Sequence, residues 1–184
     1  IATPSKSVRS LSRLLGSYIS PEQIIVSTSK GLESKTLKRM SEVIREEINT
    51  ISEKNIIALY GPSHAEEVIK KFPTAIVAAS QDIENAQKAQ SIFSSEILRV
   101  YTNKDIVGVE LGGSLKNVIA IGVGMCDGVG FGDNTKSAII TRGMAEIIRL
   151  GVAMGARKET FSGLSGIGDM IATCLSKHSR NRYV

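Results

Sequence analysis

Tryptophan is absent from this chain, and aromatic residues make up only 4% of it. So few rings leave little for nucleic-acid bases to stack on, and a net charge of +5 is too small to argue for a polyanionic partner. That charge suits small phosphorylated molecules. Cysteine is scarce: Cys126 and Cys174 stand far apart and form no CxxC pair, and His64 and His178 add no zinc spacing. A disulfide framework and a metal site are therefore not expected, and the composition fits a reduced, cytoplasmic setting. The apolar runs fall short of a membrane span, so no integral membrane segment is expected. Repeats and low-complexity linkers are missing, as is any GxGxxG between a strand and a helix. The chain opens Ile-Ala-Thr-Pro and closes Arg-Asn-Arg-Tyr-Val, which reads as a piece of a longer polypeptide.

What is present is ordinary globular composition. Apolar residues are 42% and charged residues 22% of 184, enough for a real core. SVRSLSRLL reads as a helix, SPEQ as a turn, and IIVSTSK as a β-branched strand. Residues 33–49 read as one long amphipathic helix. IIALY, TAIVAAS and LRVYTN read as strands, with helices over 63–71 and 82–94 between them. Strands spaced by helices imply a mostly parallel α/β layer. After about residue 104 strand signals stop, and long apolar helices follow over 105–125 and 134–155, with a shorter one from about Ser165. The change places a domain boundary near Asn103, giving an α/β part, 1–103, and a helical part, 104–184.

Several short motifs carry chemistry. Lys116 and Asn117 interrupt the apolar segment DIVGVELGGSLKNVIAIGVGM. A lysine there is snorkelling, paired or employed. Gly112 and Gly113, about one turn earlier, leave room on that helix face for a ligand or another backbone. STSKG puts Lys30 at the carboxyl end of a strand, where open α/β sheets bind ligands; the plain alternative is a solvated surface lysine. In GPSHAEEV, Ser63 and Glu66 have the spacing of a capping box, with an anion site or merely a well-capped helix as the two readings. The glycine-spotted GVGMCDGVGFGDN leaves a helix rather than a strand, so it is read as a flexible link with Asp133 or Asn134 capping the next helix. Asp169 and Thr173, at i and i+4, share a helix face. Ser179, Arg180 and Asn181 together offer several donors to a phosphate, or form a polar helix end.

These segments occur together and in order. STSKGLE, GPSHAEEV, VYTNKDIVGVELGGSLKNVIAIGVG, DGVGFGDNTKSAIITRGMAEIIRLG, GLSGIGDMIATC and SRNR make the chain resemble NAD(P)-dependent glycerol-3-phosphate dehydrogenase of the bacterial type. The resemblance implies the rear half of a Rossmann-like dinucleotide-binding domain followed by the start of an all-helical substrate domain. It implies Lys116 as the catalytic base, with Lys30 and Asp169 beside it. Gly61, Ser63, Asn117, Thr173, Ser179, Arg180 and Asn181 would join these three in holding the substrate. Lys30, Ala65 and Arg180 would meet NAD or NADP. The implied reaction interconverts dihydroxyacetone phosphate and glycerol 3-phosphate for phospholipid synthesis, in a cytoplasmic homodimer. A related hydroxyacid dehydrogenase and a non-catalytic phosphometabolite-binding protein are the competing readings.

Overall fold

Alternating apolar strands and amphipathic helices stack as layers in the computed structural model, which describes residues 1–176 and 179. The order is α1 (Ser5–Leu15), β1 (Ile25–Ser27), α2 (Met40–Glu47), β2 (Ile56–Tyr60), α3 (Ala65–Ile69), β3 (Thr74–Ala79), α4 (Ile83–Phe93) and β4 (Leu98–Asn103). The strands lie side by side as β1-β2-β3-β4. β1 and β2 run parallel, β2 and β3 antiparallel, and β3 and β4 parallel. The first residues continue the sheet beyond β1: the Ile1 amine donates to the Val26 carbonyl at 2.7 Å, and Thr28 N donates to Ile1 O at 2.9 Å.

β2 is buried along its whole length, and its period of two explains why. Ile57 and Leu59 pack with Ala89 of α4 on one face, while Ala58 and Tyr60 pack with Ile106 and Val109 on the other. Those last two residues open α5 (Ile106–Gly128), which is followed by α6 (Asp133–Ala153). A 3-10 turn (Lys158–Ser162), a π-helical turn (Leu164–Gly168) and α7 (Asp169–Leu175) complete the described order. Leu111, Ala120, Val123, Phe161, Met170 and Cys174 form the core of this helical part.

α5 is the spine between the two parts. By length and composition it could cross a membrane, contrary to the reading of the apolar runs, because Glu110 and Lys116 interrupt the run without ending the helix. Both are buried and partnered, and the helix packs on the sheet on one side and on α6 and α7 on the other. Such burial marks a core helix. At its head, Asp105 Oδ1 accepts from Gly108 N at 2.9 Å, while Oδ2 accepts from Arg157 N at 2.8 Å and Thr160 Oγ1 at 2.6 Å.

Three local expectations are corrected. The helix expected over 33–49 exists only as α2. Leu37 has φ 58°, Glu33 N donates to Lys38 O, and Leu32 bridges Arg39, so residues 32–39 form a tight loop. Glu110 reaches across from α5 to accept Ser41 N at 2.8 Å and Arg39 Nη1 at 2.7 Å, which starts the helix at Met40. Tertiary contact overrides local propensity there. The Ser63–Glu66 capping box does not form: α3 starts at Ala65 with His64 in the cap position, and Ser63 Oγ donates to Gly61 O at 3.3 Å instead. The glycine-rich link is short, since Gly122, Gly124 and Gly128 lie inside α5, and Gly132 rather than Asp133 or Asn134 occupies the cap of α6.

Asp105→Ala removes a helix cap and strands two further donors. Urea denaturation is expected to show a loss of about 2–4 kcal/mol. A loss within about 0.5 kcal/mol, the scale of an ordinary surface change, would show that Asp105 does not clamp the helical part to α5.

Candidate active site

The carboxyl ends of the parallel strands β1 and β2 share one edge of the sheet. Lys30 leaves β1 there, and Gly61 leaves β2. Gly61 has φ +151°, and a Cβ on it would lie 2.9 Å from Ile76 Cα, so only glycine makes this turn. Its carbonyl accepts Lys30 Nζ at 2.9 Å. α5 brings Lys116 to the same place, and α7 brings Asp169 and Thr173.

Glycines on α5 allow this approach. A Cβ on Gly112 would stand 2.5 Å from the Ser165 carbonyl oxygen, so the π-helical turn ahead of α7 can rest on α5. A Cβ on Gly113 would meet the Tyr60 ring at 2.8 Å. One glycine admits another backbone, and the next admits the side chains of the sheet edge.

Asp169 is the hub. Its Oδ2 accepts Lys30 Nζ at 2.7 Å, and its Oδ1 accepts Lys116 Nζ. Lys116 also donates to Thr173 Oγ1 at 2.7 Å, and that hydroxyl donates to Asp169 O at 2.7 Å. Thr173 therefore holds Lys116 in place, with its own proton committed to the backbone. Asp169 is 2% exposed and Lys116 7%. Two ammonium groups, Lys116 buried and Lys30 half-buried, thus share one buried carboxylate, which leaves the cluster with a net positive charge. Burial pushes the Lys116 pKa down, the Lys30 ammonium pushes it further, and Asp169 opposes both; the balance stands at about 8.

Of the other predicted residues, Ser63 and Ala65 are exposed beside Gly61 at the head of α3. Asn117 is half-buried and sits about 100° around the helix from Lys116. Ser179 is 3% exposed, and its Oγ has no hydrogen-bond partner among the described residues. Arg180 and Asn181 lie outside the described residues. Among the described residues no cluster of three His, Cys, Asp or Glu side chains is placed to hold a metal.

Sequence reasoning passed over Tyr60, Arg39, Glu110 and Ser114. From the sequence, Tyr60 is only the end of a strand. Its hydroxyl donates to Ser29 O, and its ring centroid is 5.7 Å from Lys30 Nζ. Ser114 Oγ accepts Gly31 N at 3.0 Å, tying the Lys30 loop to α5. Glu110 carried the same signal as Lys116, a charge inside an apolar helix; burial raises its pKa, opposed by Arg39 and Ser41.

Family models described as NAD-dependent glycerol-3-phosphate dehydrogenase N-terminus and C-terminus match residues 1–86 and 105–184. The chain belongs to the NAD-dependent glycerol-3-phosphate dehydrogenase family. It is 53% identical over 182 residues to a glycerol-3-phosphate dehydrogenase (NAD(P)+) of Clostridium botulinum, covering 99% of this chain and 54% of that relative. It is 52% identical to one from Salinibacter ruber, covering 100% and 54%. The crystal structure of glycerol-3-phosphate dehydrogenase from Coxiella burnetii aligns with a TM-score of 0.92 at 35% identity, covering 99% of this chain and 55% of that one. The chain thus spans about half the length of the glycerol-3-phosphate dehydrogenases it matches.

Within this family member, Asp169 holds the Lys116 pKa up through both its charge and its hydrogen bond, and Asp169→Asn removes the charge. An NMR titration of ε-13C-labelled lysines is expected to show Lys116 titrating near 8 in the parent and lower in Asp169→Asn. A higher midpoint in the variant would mean that the Asp169 charge does not hold the Lys116 pKa up.

Proposed function

We propose that this chain is the central part of an NAD(P)-dependent glycerol-3-phosphate dehydrogenase. Residues 1–103 supply the rear of its dinucleotide domain and residues 104–184 the start of its substrate domain. The observation that carries the reading is the cluster of buried Lys116 and Asp169 with half-buried Lys30 at the carboxyl ends of β1 and β2, where ligands of α/β sheets bind. A protein that only binds has no use for a lysine whose pKa is lowered at the cost of burying its charge.

Oxidising a secondary alcohol removes a hydride from carbon and a proton from oxygen. Neutral Lys116 accepts the hydroxyl proton at Nζ; protonated Lys116 returns it when the ketone is reduced. Asp169 and Thr173 fix Nζ, leaving one of its three ammonium hydrogens for the substrate oxygen. Lys30 adds positive charge beside the oxygen as its charge grows. Ser179, Arg180 and Asn181 take the phosphate in this reading, supported by the buried hydroxyl of Ser179, which has no hydrogen-bond partner among the described residues.

The sheet edge suits a dinucleotide's reactive end. Thr3 Oγ1, beside Ser29 at that edge, is buried with no partner among the described residues, and Ala65 is exposed at the head of α3. Lys30, Ala65 and Arg180 would hold the group, which supplies the hydride acceptor or donor when bound. The same reading makes the protein a cytoplasmic homodimer serving phospholipid synthesis, which rests on the family resemblance alone.

The test follows reduced nicotinamide absorbance with dihydroxyacetone phosphate, using NADH and NADPH and a polypeptide of the relatives' full length. Lys116→Ala should lower kcat by about 10²–10⁴-fold with the fold intact. In the parent, alcohol oxidation needs neutral Lys116 and should rise with pH through about 8, while ketone reduction needs the ammonium and should fall above it. Near-normal turnover in the variant would remove Lys116 from the proton-transfer role, and no turnover in the folded parent would remove the reaction.

A further inference from the structure

Tyr60 ends β2 immediately before Gly61, and neither the motifs nor the proposed chemistry gives it a task. Its side chain is 1% exposed. Three contacts converge on it. The hydroxyl donates to the carbonyl of Ser29, the residue before Lys30. The ring lies 5.7 Å from Lys30 Nζ, within cation–π range. The ring edge and the Lys30 stem both sit over Gly113, where a Cβ would be 2.8 Å from Tyr60 Cδ2 and 3.6 Å from Lys30 Cδ.

We propose that Tyr60 is a positioning residue: hydroxyl and ring together fix the Lys30 ammonium against Asp169 and Gly61. The hydroxyl sets the backbone from which Lys30 departs. The ring supports the far end of the side chain, and Gly113 gives both the space they share. Tyr60 suits the task because it remains a donor. Burial and the nearby Glu110 carboxylate raise its pKa well above 10, with Arg39 in opposition. The inference rests on the dehydrogenase reading for its kinetic consequences only, since the position of Lys30 is also felt by Lys116. The groups acting on Lys116 are Lys30 from the loop after β1 and Asp169 from α7, and Cys174 of α7 feels its charge in return.

Tyr60→Phe keeps the ring and removes the hydrogen bond. Tyr60→Leu removes both. In the full-length polypeptide, ε-13C-lysine NMR reads the Lys116 midpoint without any turnover. A displaced Lys30 depresses Lys116 less, so the midpoint should rise in Tyr60→Leu and rise by a smaller amount in Tyr60→Phe. KM for dihydroxyacetone phosphate should increase about tenfold in Tyr60→Leu, with a smaller change in kcat. A folded Tyr60→Leu with an unmoved midpoint would overturn the proposal even if activity fell, because packing alone would then account for the loss. Should Tyr60→Leu not fold, the midpoint in Tyr60→Phe decides by the same criterion. A parent that shows no turnover would defeat the dehydrogenase reading, while the titration still decides the role of Tyr60.

Discussion

One buried carboxylate holds two ammonium groups, and much of the fold is arranged so that it can. Asp169 lies on α7, Lys116 on α5, and Lys30 in the loop after β1. None of these elements meets the others until the chain has closed. The turn ahead of α7 reaches α5 through the bare surface of Gly112, and the Lys30 loop reaches it through Ser114 and Gly31. Taking Lys116 and Asp169 out of water and Lys30 partly so is costly, and one carboxylate offsets only one of the two cations. The surplus positive charge is poor economy for stability. It suits the dehydrogenase reading proposed above, in which the site would meet an anionic substrate and a developing negative charge on oxygen.

The other buried acids of the same region behave differently, which sharpens the contrast. Glu110 accepts from Arg39, Ser41 N and Ser41 Oγ, and Asp105 accepts from Gly108, Arg157 and Thr160. Each is satisfied by fixed donors and has a structural task. Glu110 starts α2, and Asp105 clamps the turn at 158–162. Together with Lys116, these side chains bind α5 to the α2 loop, to the helical part and to α7. An apolar helix could pack against the same neighbours, but its rotation would be less specified. Fully satisfied polar groups fix one arrangement.

The layered plan was legible because it follows from periodicity. All four strands lie within the segments read as strands, and the end of strand signals near Asn103 is also the end of β4. Lys116 was legible because a lysine in an apolar helix is an anomaly. What was not legible depends on contacts between distant residues. Residues 33–39 have helical composition, yet Glu110 captures Ser41 and Arg39 and the loop before them folds back at Leu37. Ser63 has the right spacing for a cap, yet the chain turns at Gly61 and the helix begins two residues later. Tyr60 looks like any buried strand aromatic until the Lys30 loop is placed over it. The region of Arg180 and Asn181 has motif support alone, because those residues lie outside the described ones.

The two lysines share Asp169 but not an environment, and that difference suits them to the separate tasks proposed above. The Lys116 side chain is 9% exposed and Lys30's is 26%. Lys116 has lost most of its water and faces a second ammonium, so its proton is loosely held near neutrality. Lys30 is surrounded by electron-rich partners: the Gly61 carbonyl, an oxygen of Asp169 and the face of Tyr60. All three hold the end of its side chain in place. A site with one lysine would have to trade proton transfer against charge stabilisation, because a base that has given up its charge cannot also steady an oxyanion. With two, in the dehydrogenase reading proposed above, the deeper one would move the proton while the other keeps the field in place.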